Sequence, residues 1–542
     1  MRLSLRTGIL LAALLALAAA SAAPAAVIHV TTHRDELNSD GDCSLREAVR
    51  SANLDNSVDA CTKGNDKDWI LLGAGRYEFR AALSGEDDTG VKGDLDLTGA
   101  VGVRGAGRTR TIVDANDVDR IFHVQNGANA VIAGLTIENG HVVSLSEAAG
   151  GAILVSGVLR LKWAAIRYSE AFGQNGGLGS GGGLAVEFGK VATVEHSRII
   201  DNKTAQSGGG VYSEGNLALD WSKVLGNSAQ FEGGGVYVAT GGDSAINDSW
   251  IAANRVTNTG ANGGGLAIAK GHLDRTTISG NTARNGDGVL VFGEVQMWNV
   301  TVSRNGSVAS GGNGGGIYHG TGLAGDSLTL ENVTIAGNAA SSTAGSGGNL
   351  WLGGPVSAKN VLVSDNRGGA NCGGNLDNFN YAGPNLSDDA TCGAFATGDA
   401  KLRRLANYGG WTKTQALGSG SAALNAGSAC TDSDERGVSR PQGPACDLGA
   451  YELARCFNRA VNRVGTDRSE RFRGTAANEV FLTQGGNDTV NPGAGTDRVC
   501  AGSGNDKVVI ASGEKDFADG GSGTDRVRRD FRDSVRAFER FF

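Results

Sequence analysis

Leu328-Thr329-Leu330-Glu331-Asn332-Val333-Thr334-Ile335-Ala336-Gly337-Asn338 is the clearest copy of a motif that recurs through the middle of the chain. Its copies align in two columns. One is aliphatic: Ile166, Ile199, Val224, Ile251, Ile278, Val302, Ile335 and Val363. The other, three residues on, is asparagine: Asn202, Asn227, Asn254, Asn281, Asn305, Asn338 and Asn366. Between copies stand glycine clusters followed by an aliphatic residue, among them Gly181-Gly182-Gly183-Leu184, Gly233-Gly234-Gly235-Val236 and Gly314-Gly315-Gly316-Ile317, with a worn copy at Gly347-Gly348-Asn349-Leu350. The spacing, 24 to 33 residues, is that of a solenoid. Short alternating runs such as Leu217-Ala218-Leu219-Asp220 read as strands with one buried face, and glycine is too frequent for helix interiors. A strand that returns to its own column after one repeat pairs in parallel with its predecessor. The expectation is an all-β chain, a right-handed parallel β-helix, with the aliphatic column inside and the glycines at corners that need unusual backbone angles.

Stacked asparagines at a corner can hydrogen-bond from coil to coil, so that column is expected to be a ladder and not a site. Six residues before it, Asp248, Asn299, Asn332 and Asn360 suggest a second polar ladder, broken by His196, Trp221 and Arg275. Successive coils lie about 4.8 Å apart, so His196, Trp221, Asp248 and Arg275 can form one polar and aromatic strip. Asp248 and Arg275 could serve a lyase as base and carboxylate-neutralising cation; an ion pair between neighbouring coils accounts for them equally. No Ser/His/Asp constellation and no cysteine–histidine metal spacing is legible, and no catalytic residue is assigned.

The first residues carry Arg2 and Arg6, an apolar run from Gly8 to Ala20 and small residues around Ala22 and Ala25. This reads as a secretory signal peptide, residues 1–26, leaving no membrane span after cleavage. The 87 glycines come without a collagen triplet, and a formal charge of −8 argues against nucleic acid as a partner. Eight cysteines in an exported chain suggest disulfides. None lies between Cys61 and Cys372, so the coil itself has no crosslink. Pairing of sequence neighbours at the ends gives Cys43–Cys61, Cys372–Cys392, Cys430–Cys446 and Cys456–Cys500, although sequence alone does not fix connectivity.

The N-terminal stretch 27–84 reads as a cap. Ser44 is a helix N-cap with Glu47 as capping-box partner, and Leu45, Ala48 and Val49 share one face. A solenoid must close its open end against other strands. Cys43-Ser44-Leu45-Arg46-Glu47-Ala48, followed by Gly93-Asp94-Leu95-Asp96 and Thr111-Ile112-Val113-Asp114, resembles the hallmark of the bacterial CSLREA-motif proteins, which are exported parallel β-helix proteins. The group Asp114, Asp117, Asp119 and Arg120 is expected to serve turns. The coil is expected over 85–370. Residues 371–455, with Leu405-Ala406-Asn407-Tyr408-Gly409-Gly410, Arg440-Pro441 and Cys446-Asp447-Leu448-Gly449-Ala450-Tyr451-Glu452, resemble the C-terminal region of choice-of-anchor Q β-helix proteins. Members of that family usually end in a sorting signal, and no such pentapeptide or apolar helix is seen here.

The last stretch, 456–530 with a tail 531–542, repeats a shorter unit. Gly485-Gly486-Asn487-Asp488, Gly493-Ala494-Gly495-Thr496-Asp497, Gly502-Ser503-Gly504-Asn505-Asp506 and Gly521-Ser522-Gly523-Thr524-Asp525, with a damaged copy around Asp516, place aspartates at spacings of 9, 9, 10 and 9. This resembles the RTX, or hemolysin-type, calcium-binding nonapeptide. The resemblance implies calcium as the cofactor, with Asp488, Asp497, Asp506, Asp516 and Asp525 as ligands. If two nonapeptides make one turn of a β-roll, Asp488, Asp506 and Asp525 form one row and Asp497 and Asp516 the other. Carboxylates roughly 5 Å apart repel unless a divalent cation lies between them, and oxygen ligands suit calcium. An extracellular-type affinity, on the order of 0.1–1 mM, is expected. A metal-free cap stapled by Cys456–Cys500 is the alternative. Glu514 replaces a turn glycine and is expected to weaken the site near Asp516.

Two function classes remain. The first is a monomeric, secreted or cell-surface, non-enzymatic β-helix protein, adhesin-like, with a glycan or protein ligand. The second is a carbohydrate-active enzyme, a polysaccharide lyase or hydrolase, on the same scaffold; the coil alone does not decide.

Overall fold

The structure, a computed structural model, describes residues 25–85, 88–144, 148–173, 179–306, 312–320, 325–340 and 347–542. The expected signal peptide lies outside them except for its last two residues; Ala26 already opens the first strand, Ala26–His29. The chain is a right-handed parallel β-helix. A 13-stranded sheet takes one strand from each coil, from Gly75–Glu78 to Ala396–Thr397. A 22-stranded sheet takes up to two, and a five-stranded sheet widens the middle coils. The strand ladder passes both expected boundaries of the coil, since Ala26–His29 pairs with the strand Lys67–Leu71 and Leu386 pairs with Ala396.

The aliphatic column is the core. Ile199, Val224, Ile251, Ile278, Val302 and Ile335 pair in succession along the 13-stranded sheet, and all are buried. The first glycine of each cluster, from Gly150 to Gly347, has φ between 55° and 73°, which costs any residue with a Cβ about 1–2 kcal/mol. The asparagine ladder is fully bonded. Each Nδ2 from Asn202 to Asn305 donates to the Oδ1 of the next asparagine at 2.9–3.0 Å and to a backbone carbonyl one coil back.

Its last steps depart from the expected column. Asn338 donates to Asn349 and Asn349 to Asn371, not to Asn366. In earlier coils the third glycine of the cluster leaves room for the ladder residue; a Cβ at Gly316 would sit 2.7 Å from Asn338 Nδ2. At the worn cluster that glycine is Asn349, whose own amide takes the ladder position. Asn366 is displaced into a local turn, bonding Gly368 N and Gly369 O.

The second ladder is also a correction. His196, Trp221, Asp248, Arg275, Asn299, Asn332 and Asn360 all have φ between 46° and 55°. They occupy a left-handed corner. The ladder there is one residue on, where Ser222, Ser249 and Thr276 hydroxyls accept the amides of Ser197, Ser222 and Ser249. The corner asparagines instead hold the C-terminal cap: Asn360 exchanges two bonds with Ser428, and Asn299 accepts from Thr431 Oγ1.

At the N-terminal end a helix, Leu45–Leu54, closes the coil with the expected capping box. Each residue of the hexapeptide has a task. Cys43 bonds Cys61, Ser44 caps, Leu45 and Ala48 enter the core, and Glu47 returns to the Ser44 amide at 2.9 Å. Arg46, 1% exposed, pairs with Asp35 at 2.7 Å and donates to the Gly93 carbonyl at 2.8 Å. Asp114 and Arg120 are structural too: Asp114 accepts from Asn139 Nδ2, and Arg120 pairs with buried Asp94 at 2.6 Å. The other disulfides are Cys372–Cys392, Cys430–Cys446 and Cys456–Cys500. Among the described residues no helix is long and apolar enough to cross a membrane.

The C-terminal stretch is a roll of two five-stranded parallel sheets around Phe481, Val490, Val499, Val508 and Val527. It includes the expected tail, because Ser534–Arg536 and Arg540–Phe541 are its last strands.

Candidate functional site

One outward column of the 13-stranded sheet changes character along the coil. In register it reads Ala165, Arg198, Lys223, Trp250, then Thr277, Thr301, Thr334 and Leu362. The second half is covered by the cap. Buried Glu435 receives Thr277 Oγ1 at 2.8 Å and Thr412 Oγ1 at 3.2 Å, and it also bonds Thr301; Thr301 meets Thr414 at 2.9 Å. Ala450 N donates to Thr334 Oγ1 at 2.9 Å. The first half stays open, so Arg198, Lys223 and Trp250 form the floor of a groove.

The corner column makes one wall. Trp163 stacks on His196 with centroids 4.1 Å apart, and His196 on Trp221 at 5.1 Å. Next come Asp248 and Arg275, joined by two hydrogen bonds of 2.9 and 2.8 Å. The expected strip therefore exists, and Trp163, one coil earlier, belongs to it. Its Asp248 is committed to Arg275, which also pairs with Asp274, so the ion-pair account holds for these residues.

Non-repeating segments close the groove. The cap supplies Trp411, 5.5 Å from His196, and Lys413, whose Nζ is 4.4 Å from the Trp250 centroid. The first turn of the roll supplies Arg468, 5.4 Å from the Trp221 ring and 5.5 Å from Trp411. From the opposite end Arg108 reaches in to donate to the His196 carbonyl at 3.1 Å. The result is two contiguous clefts of about 380 and 180 Å³ that share Trp221, Asp248 and Trp411. Sequence periodicity could show Trp163, Arg198, Lys223 and Trp250. It carries no signal for Arg108, Trp411, Lys413 or Arg468, which lie outside the repeats.

Burial, and then the neighbouring Arg198, Lys413 and Arg108 charges, push the Lys223 ammonium below the usual lysine range. Burial and Arg468 hold the His196 imidazole down as well. Burial pushes Glu435 up to about 8, against the pull of the threonine hydroxyls.

The roll carries the second candidate site, and the expected rows are present. Asp488 N donates to Asp506 Oδ1 and Asp506 N to Asp525 Oδ1, both at 2.7 Å; Asp497 N donates to Asp516 Oδ1 at 2.8 Å. Glu470 and Glu479 begin the rows, and Asp533 and Glu539 end them. The two glutamates stand 18 residues before Asp488 and Asp497, a period a search for aspartate alone passes over. All five aspartates are 0–1% exposed, and Oδ2 of Asp488, Asp497, Asp506 and Asp525 has no hydrogen-bond partner among the described residues. Burial first, and like charges after it, push Asp497 and Asp506 up to about 6. Buried, orphaned carboxylate oxygens in rows fit a hard divalent cation. Glu514 accepts the Gly495 amide across one turn of this site.

No family model and no curated protein sequence matches the chain. Among solved structures, pectate lyase Pel9A is 16% identical, with 79% of this chain and 97% of that one covered at a TM-score of 0.44. The PL6 family alginate lyase AlyGC is 11% identical, with 87% and 69% covered at 0.35. Likeness at that level carries no argument about what the groove does.

Proposed function

We propose that this is an exported β-helix protein that binds an extracellular glycan in the groove and calcium in its C-terminal roll, holding its ligand without turning it over. The carrying observation is the gathering of Trp163, Trp221, Trp250 and Trp411, four of the chain's seven tryptophans, into one open groove. Trp163 and Trp411 are 51% and 43% exposed. Indoles kept at a surface by ring stacking, not by burial, suit a ligand with apolar faces and many hydroxyls. Four disulfides support export, because they persist in oxidising compartments. In the roll, Asp488, Asp506 and Asp525 on one side and Asp497 and Asp516 on the other would hold calcium, which would neutralise their mutual repulsion.

The second reading, a carbohydrate-active enzyme, has one observation on its side: Lys223 is an amine with a lowered pKa on the groove floor, as a general base requires. Against it, Asp248 is tied to Arg275 and Glu435 is enclosed by threonines. Screening the purified chain on immobilised polysaccharides, with released sugar assayed in parallel, tests both. Binding that is lost in Trp221→Ala and Trp411→Ala, with no released product, is expected. Absence of binding to every glycan would end the first reading, and product formation abolished by Lys223→Ala would establish the second.

A further inference from the structure

We propose that the ligand of this groove is a polyanion, a glycan whose repeating units carry carboxylate or sulfate groups; this rests on the glycan-binding reading above. The chain as a whole is acidic, with a formal charge of −8. Yet Arg108, Arg198, Lys223, Lys413 and Arg468 converge on one groove, and none of them forms an ion pair among the described residues. The acids at hand do not answer them. Asp248 is held by Arg275, Glu435 is enclosed by hydroxyls, and Asp467 stands exposed on the rim. Like charges gathered without counter-charges cost folding free energy; at Lys223 they add to burial in pushing the ammonium down. An acidic chain can neutralise such a cluster with its own carboxylates, and here Asp248 and Glu435 are spent elsewhere while Asp467 pairs with none of the five. A bound anion supplies the missing charge.

The arrangement selects a polymer over a single ion. Arg198 and Lys223 are partners on adjacent coils, so their charges repeat at about 4.8 Å along the axis. The groove follows that axis, with Arg108 reaching in at one end and Arg468 at the other. Trp250 lies between Lys223 and Lys413, at 5.4 and 4.4 Å, so cation and ring alternate across the floor. A nucleic acid also joins phosphates to flat rings, but its bases need free aromatic faces. Here Trp163, His196 and Trp221 pack face to face, which uses the inner faces of both indoles and both faces of the imidazole.

The test uses the full chain with four polymers: polygalacturonate, the same polymer with its carboxyl groups reduced, dextran sulfate, and a single-stranded oligonucleotide. Polygalacturonate or dextran sulfate should bind at least about ten-fold tighter than the reduced polymer, with affinity falling as salt rises. Whichever of the two binds tighter identifies the acid group. Lys223→Gln combined with Arg198→Gln should erase that preference, bringing the affinity for the acidic polymer down to that for the reduced one, with a melting temperature no lower than that of the wild type. If the reduced polymer binds as tightly, the polyanion inference fails and the glycan reading stands. If no polysaccharide binds, the glycan reading fails with it. Tighter binding of the oligonucleotide would overturn the inference in favour of nucleic acid.

Discussion

Replacing Asp506 by asparagine should stabilise the roll without calcium and destabilise it with calcium. Asp506 Oδ1 accepts the Asp488 amide at 2.7 Å, and its Oδ2 is buried without a partner. Burial, then Asp488 and Asp525, push its carboxyl from 3.8 up to about 6. A folded-state pKa above the unfolded one means that the folded roll binds the extra proton. Its stability is therefore greatest at or below about pH 4 and is lost as pH rises through about 6. At neutral pH the charge costs about 3 kcal/mol, two units at about 1.4 kcal/mol each. In Asp506→Asn the amide oxygen still accepts from Asp488 and the charge is gone. The new buried amide donor offsets about 1–2 kcal/mol of that. The net gain in chelator at pH 7 is about 1–2 kcal/mol, with a flatter pH dependence between about 4 and 6. If calcium occupies the proposed site, the sign reverses in its presence, because the variant lacks one of the proposed ligands and forgoes about 2–3 kcal/mol of linkage stabilisation when calcium is near a hundred-fold over its Kd. Hydrogen exchange at the Val490 and Val508 amides of the full chain, with chelator and with calcium on the order of tens of millimolar, reads both signs. A variant less stable than wild type in chelator, or one that calcium protects as well as wild type, would refute the reasoning.

Two further outcomes follow from the packing. Asn254→Ala removes a donor to Val224 O and to Asn281 Oδ1 and leaves Asn227 N and one Asn227 Nδ2 proton without their acceptor, so denaturant titration should show a loss of about 3 kcal/mol; a loss under 1 kcal/mol would mean that water replaces the ladder. Glu435, raised to about 8 by burial, gives stability that is full below about pH 4.5 and lost as pH rises to about 8; Glu435→Gln should abolish that slope in the unfolding free energy from denaturant titration, on the order of 4 kcal/mol across the range, and an unchanged slope would place the titrating group elsewhere.

The coil was legible because contacts inside a solenoid join each residue to its equivalent one period away. Ile199, Val224 and Ile251 are partners in space for the same reason that they align in sequence. The same holds for Asp488, Asp506 and Asp525, and for Ser44 with Glu47, where a single helical turn sets the spacing. Where the period slips, sequence misleads. Asn366 fits the column, yet Asn349 and Asn371 carry the ladder, because one missing glycine changes which side chain has room. The groove lay further out of reach. Trp163, His196, Trp221, Arg198 and Lys223 repeat with the coil, but nothing periodic brings Arg108, Trp411, Lys413 and Arg468 to them. Trp411, Lys413 and Arg468 arrive because Glu435 seats the cap on a threonine column and Asn299 and Asn360 tether it, and Arg108 reaches in from the turn before the strand Thr111–Asp114. Docking of that kind depends on shape and hydrogen bonding between surfaces far apart in the chain, so only the tertiary structure decided that an aromatic and cationic groove stands where the cap ends.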